Sequence, residues 1–187
     1  MKHIAACLAS LAAVAVAAPA AADLKAGTKA PDFQAPAYLA GKPFNYRLSD
    51  ALKKGPVVLY FFPSAYTKGC NIEARLFSEA ADQFKAQKAS VIGVTAGKTD
   101  QLAAFSKDTE SCSGKFPVAA DPGAKIARQY DTQLKLANIK VPADLSGRTS
   151  YVIAPDGKIL LAYDNLSPDQ HVAKTLEAVK AWRAKKP

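Results

Sequence analysis

The sequence is short of paired cysteines and of the residues that hold metals. Its 187 residues include 3 cysteines and 2 histidines, and no C-x-x-C occurs. A local dithiol–disulfide pair is therefore excluded, and so few soft ligands support no zinc ribbon or finger. No metal and no cofactor is expected. The glycine fingerprint G-x-G-x-x-G is absent, which removes the usual dinucleotide site. Gly93-Val-Thr-Ala-Gly97-Lys98-Thr99 imitates a phosphate loop but has three residues between its glycines where the motif has four, so the cradle is one residue short. Internal repeats are also missing.

Long apolar runs are scarce too. Ile4 to Ala18 is apolar almost throughout, but it is too short and too rich in alanine for a membrane span. With Lys2 before it and Ala20-Ala21-Ala22 after it, the run reads as a signal peptide over residues 1–22, cleaved before Asp23. Cys7 would leave with it. The remaining 165 residues, 23–187, have the size of one domain able to bury its own core. An exported protein, in a bacterial periplasm, is expected. Two cysteines stay behind, Cys70 and Cys112, an even count that allows one structural disulfide. The net charge of +9 is spread along the chain apart from the tail at Arg183, so it reads as a solvated lysine-rich surface. No nucleic-acid site is expected; weak attraction to anionic envelope surfaces remains open.

What is present is a regular alternation. Val57–Phe62 and Ser90–Thr95 are continuous apolar runs of strand length, the pattern of strands buried on both faces. Between them, residues 67–86 place Leu76, Phe77, Ala80, Ala81 and Phe84 on one helical face, with Glu73, Ser78, Glu79, Asp82 and Lys85 opposite. A second helix is expected from Asp100 to about Glu110, a strand over 116–120 and a short helix over 125–130. Gly41-Lys-Pro43 reads as a hairpin turn. Thr149–Ala154 and Ile159–Tyr163 flank Pro155-Asp-Gly-Lys158 as a second hairpin. Ser167-Pro168-Asp169 reads as the cap of a last helix, with proline in its first turn and His171 on its solvated side. The class is α/β, a central mixed sheet flanked by helices.

The chemistry centres on Pro63-Ser-Ala-Tyr-Thr67-Lys-Gly-Cys70. Cys70 stands at the start of a helix that follows a central strand, where ligands of open α/β sheets collect. The thiolate is the reactive form of cysteine, and helix N-termini and nearby cations favour it. Gly69 lets backbone N–H groups approach a ligand closely. Thr67 can cap the helix, or use its hydroxyl as donor and acceptor beside the thiol. Pro63 ends the strand and can shield the site from water.

Pro63-x-x-x-Thr67-x-x-Cys70 resembles the signature of the peroxiredoxins, and Cys70-Asn-Ile-Glu73-Ala74 resembles the C-T-T-E-A stretch of the peroxiredoxin Q (bacterioferritin comigratory protein) branch. Ala30-Pro-Asp-Phe33 is similar to the family's opening segment, and Arg148-Thr-Ser-Tyr-Val-Ile153 to its late arginine segment. The resemblance covers nearly all of 23–187. It implies a thioredoxin-like fold and reduction of hydrogen peroxide and organic hydroperoxides. Cys70 would be the peroxidatic nucleophile, Thr67 would orient the peroxide, Pro63 would shield it, and Arg148 would stabilise thiolate and leaving oxygen. Many members of the branch carry a second, resolving cysteine five residues after the first, where this chain has Arg75. Cys112, 42 residues after Cys70, is then the candidate to close an intramolecular disulfide. The resemblance also implies a monomer and a thiol reductant, a thioredoxin-like protein or a small thiol. Two other readings stay open on the residues: a thiol–disulfide exchanger, and a non-catalytic module with a structural crosslink.

Overall fold

A computed structural model describes residues 24–135 and 144–185. The expected signal peptide, with Cys7, lies outside the described residues. The chain builds one seven-stranded sheet. Its strands are β1 (Gln34–Leu39), β2 (Lys42–Arg47), β3 (Val57–Phe61), β4 (Ser90–Thr95), β5 (Val118–Ala120), β6 (Thr149–Ile153) and β7 (Ile159–Asp164). Across the sheet they run β2-β1-β5-β4-β3-β6-β7. β3, β4 and β5 are parallel, while β6 pairs antiparallel with β3 and closes the expected hairpin with β7. The mixed sheet read from the sequence is the one present.

The sheet separates two apolar layers, and β3 feeds both. Leu59 and Phe61 point to a cluster with Phe33, Tyr130 and Tyr151, while Tyr60 and Phe62 point to one with Phe77, Phe84 and Phe105. This is the period-two alternation of a strand, with apolar side chains on both faces because both are covered. Helices α1 (Leu48–Leu52) and α5 (Lys125–Gln129) cover the first face. Helices α2 (Lys68–Glu79), α3 (Ala81–Ala86), α4 (Leu102–Lys107) and α6 (His171–Ala184) cover the second. The first hairpin turns at Ala40-Gly41, both with positive φ, one residue ahead of the expected Gly41-Lys-Pro43. Two adjacent positive φ angles match the twist of the strands they join. Pro43 is tolerated because β2 is the sheet edge.

Three helix boundaries differ from expectation. The helix over 67–86 is two helices that meet at Ala80, where ψ falls to −1°. Neither glycine nor proline marks the break. The helix over 100–110 is a 3-10 turn (Thr99–Gln101) and then α4, which stops at Lys107. Beyond it the Asp108 carboxylate accepts from Glu110 N–H at 2.9 Å and Ser111 Oγ donates to Phe105 O at 2.7 Å. Short polar side chains that bond nearby backbone compete with the helix in this way. Helix α6 starts at His171, so Ser167-Pro168-Asp169 lies in the bend before it and caps nothing.

Candidate active site

Strand β3 ends at the sheet centre, and the chain crosses from it to α2 through Phe62–Thr67. Thr95 Oγ1 donates to the Pro63 carbonyl at 3.2 Å, and Ser64 bridges to Gly97. A side chain at Gly97 would come within 2.4 Å of that carbonyl, and one at Gly93 within 2.7 Å of the Tyr60 ring. Close approach of neighbouring groups therefore accounts for both glycines of the phosphate-loop imitation. Tyr66, at φ 57°, turns the backbone left-handed just before the helix. Such a conformation costs about 1–3 kcal/mol in a non-glycine residue and persists only where its surroundings enforce it; here Tyr66 packs edge-on against Phe105 at 5.3 Å.

Thr67 occupies the N-cap position of α2 with extended backbone, but makes no capping bond. Its hydroxyl donates instead to Ser64 O at 3.1 Å, and both oxygen lone pairs stay available to a substrate. Cys70 is the third helical residue and only 1% exposed. The first intrahelical bond runs from Asn71 N–H to Thr67 O, so the N–H groups of residues 68–70 have no acceptor within the helix. Cys70 thus lies in the first turn of the helix, at its positive end.

Arg148 arrives from the residue before β6, 78 positions from Cys70, and completes the arrangement. Its Nη2 lies 3.5 Å from Cys70 Sγ, its Nε donates to Leu166 O at 2.8 Å, and its Nη1 donates to Glu73 Oε2. Three fixed contacts leave the guanidinium no free rotation. Its charge is held on despite burial by Glu73 and Cys70 beside it. Burial pushes the Glu73 carboxyl up to about 8, against the pull of Arg148. The site can hold a thiolate at a helix start under a permanently charged donor, with a hydroxyl one helical turn away. The AhpC/TSA family profile matches residues 26–162.

The chain belongs to that family.

The "Putative peroxiredoxin" of Mycobacterium tuberculosis is 33% identical over 162 residues, which cover 86% of this chain and 99% of that one. The chloroplast peroxiredoxin Q of Sedum lineare is 30% identical over 136 residues, covering 70% and 67%. The crystal structure of peroxidoxin BcpB from Mycobacterium tuberculosis superposes with a TM-score of 0.73 at 30% identity, covering 84% of this chain and 97% of that one. The fold is thus the peroxiredoxin form of the thioredoxin-like fold.

Not every expected residue of this peroxiredoxin stands beside the sulfur. Cys112 is fully buried in the turn after α4, and burial pushes its thiol up. Both thiols are free, so the structural crosslink allowed by the even count is not present. Cys70 and Cys112 share one apolar cluster with Tyr60, Phe62, Phe77 and Phe105. Glu73, expected on the solvated face of its helix, is 0% exposed. The amphipathic pattern could not show this, because its partner Arg148 is 75 residues away. His171 also departs from expectation. Expected in solvent, it is 0% exposed, with Nδ1 2.8 Å from Ser150 Oγ and Nε2 2.8 Å from Asn165 O. A hollow of about 570 Å³ opens beside β2 between Phe44, Lys54 and Lys88, and contains none of the residues around Cys70.

Proposed function

We propose that Cys70 is the peroxidatic nucleophile of this thiol peroxidase. The carrying observation is the Arg148 Nη2 contact to Cys70 Sγ at 3.5 Å, at the open end of α2. The Cys70 thiolate attacks the distal oxygen of a hydroperoxide. The sulfur–oxygen bond forms as the O–O bond breaks, Cys70 becomes a sulfenic acid, and the leaving oxygen departs with a proton as water or an alcohol. Negative charge builds on that oxygen, so donors already aimed at it supply the acceleration. Arg148 cannot give up its proton and serves both sulfur and leaving oxygen. Thr67 offers the peroxide the lone pairs of its hydroxyl oxygen, and Pro63 walls the loop side.

Cys112 then resolves the sulfenic acid. Its sulfur attacks Cys70 Sγ, the sulfenic hydroxyl leaves as water, and an intramolecular disulfide remains. Both thiols are buried in one apolar cluster, and a disulfide needs Cα atoms within about 7 Å, so the α2 start and the turn after α4 must loosen locally wherever they start farther apart than that. A thioredoxin-type dithiol reduces the bridge, returning two thiols here and leaving its own disulfide. The enzyme acts as a monomer of residues 23–187 in the periplasm, after removal of the leader. Stopped-flow oxidation by hydrogen peroxide tests this on wild type, Cys70→Ser and Cys112→Ser, with mass spectrometry of the product. Cys70→Ser consumes no peroxide, and wild type gains one internal disulfide. A Cys70→Ser protein as fast as wild type contradicts the assignment.

A further inference from the structure

We propose that His171 is a positioning residue for Cys70: it fixes Glu73, and through Glu73 the Arg148 guanidinium. The inference rests on the reading of Cys70 as nucleophile. It starts from an unsatisfied atom. Glu73 is fully buried, its Oε2 accepts from Arg148 Nη1, and its Oε1 has no hydrogen-bond partner. A buried oxygen left alone is costly, and buried polar groups are nearly always paired. The group set against Oε1 is His171 Nδ1, at 3.5 Å.

The remaining contacts of His171 decide what Nδ1 can do. A carbonyl only accepts, so the 2.8 Å contact to Asn165 O places the hydrogen on Nε2. Nδ1 is then an acceptor only: the Ser150 hydroxyl lies 2.8 Å from it, and Glu73 Oε1 stands beside it at 3.5 Å, able to approach it as a protonated carboxyl. The Tyr163 ring stands edge-on at 4.9 Å and holds the imidazole plane. Serine, histidine and a carboxylate meet here, but both contacts fall on Nδ1 and the cluster is buried. A Ser-His-acid triad uses the two ring nitrogens separately, so this is not a hydrolase site.

Burial pulls the His171 imidazole down and pushes the Glu73 carboxyl up, so both favour the neutral pair. One proton between Oε1 and Nδ1 then holds the carboxyl without a second charge. Arg148 Nη1 then donates to an uncharged Glu73 oxygen while Nη2 faces the Cys70 sulfur. The other groups facing the pair are Arg148 ahead of β6, Asp164 at the end of β7, the Tyr163 ring and, from β3, the Tyr60 hydroxyl. Thr149 Oγ1 donates to Asp164 Oδ1 at 3.1 Å. The chain of contacts His171–Glu73–Arg148–Cys70 ties α6 to α2, and so ties the C-terminal helix to the reactive thiol.

Two conservative variants separate positioning from simple core filling. His171→Gln keeps an amide nitrogen near Nε2, and with it the anchor to Asn165 O, but withdraws from Glu73. His171→Asn keeps a polar atom near Nδ1 and gives up the anchor. Both are made with Cys112→Ser, so that Cys70 is the one thiol of 23–187, and each is followed by thermal melting. The readouts are iodoacetamide alkylation of Cys70 against pH and the second-order rate of oxidation by hydrogen peroxide. The expected result is a loss of about tenfold in both at neutral pH for His171→Gln, the scale of one charge-assisted hydrogen bond weakened. The half-alkylation pH should move upward in the same variant. His171→Asn is expected within about threefold of the parent, even if it melts lower. Equal losses, no losses, or His171→Asn below His171→Gln overturn the proposal. Alkylation uses no peroxide, so it reports on His171 even if the peroxidase reading of Cys70 fails.

Discussion

Replacing Gly69 with alanine should slow the enzyme without unfolding it. Gly69 is the second residue of α2, and alanine is the better helix former by up to about 1 kcal/mol. The added Cβ, however, would stand 3.0 Å from Arg148 Nη2 and 3.9 Å from Cζ. Relief of that contact moves Nη2 by about 0.5 Å toward ordinary van der Waals distance. The Nη2–Sγ separation is 3.5 Å in the structure. Stretched to about 4.0 Å, its attraction for a thiolate weakens by about 0.6 kcal/mol at an effective dielectric near 20, close to threefold in rate. If the N–H also loses its aim at the sulfur, about 1.5 kcal/mol more disappears and the total nears thirtyfold. Stopped-flow oxidation by hydrogen peroxide reads the rate, and thermal melting reads the fold. The expected variant is about three- to thirtyfold slower and melts at or above wild type. A folded Gly69→Ala protein with the wild-type rate would refute the claim that the Arg148 contact governs reactivity.

Other perturbations separate the remaining roles. Thr67→Val, which deletes the hydroxyl now donating to Ser64 O, should cost about a hundredfold in peroxide oxidation, while Thr67→Ser stays within about threefold. Cys112→Ser should leave the first oxidation within about twofold of wild type, because the step precedes resolution, and mass spectrometry should find Cys70 as oxyacid with no internal disulfide. Glu73→Gln should flatten the pH dependence of stability. The Glu73 carboxyl at about 8 lies above its unfolded value near 4.3, so the folded state holds the extra proton between them, and this contribution is lost as pH rises through about 8. Urea midpoints at about pH 5.5 and 8.5 should therefore differ less in Glu73→Gln than in wild type; an equal difference contradicts the buried protonated carboxyl.

Much of this was legible in the chain because local physics carried it. The run Val57–Phe62 is apolar on both faces, and β3 lies between β4 and β6 with all five residues buried. Pro63, Thr67 and Cys70 follow within one loop and one helical turn, so their neighbourhood is set by sequence spacing. Arg148 was reached by resemblance, since nothing local tells that arginine from a surface one. Glu73 and His171 were misread for a common reason. Helical periodicity assigns charge to solvent, whereas each of these side chains is drawn inward by a partner far along the chain. The Glu73–Arg148 pair spans 75 residues, and His171 joins Ser150 across 21. Helix α4 stops three residues before the expected Glu110 because Asp108 and Ser111 make side-chain bonds to nearby backbone that helix patterning does not register.

The central claim is that Cys70 under Arg148 reduces hydroperoxides. Its most direct measurement is a single-turnover reaction of the reduced protein with one equivalent of hydrogen peroxide, run beside Cys70→Ser and followed by mass spectrometry. The expected result is loss of the peroxide, one added oxygen on Cys70 when Cys112 is serine, and a Cys70–Cys112 bridge in wild type. Peroxide that persists in the wild-type reaction, or vanishes equally fast with Cys70→Ser, contradicts it.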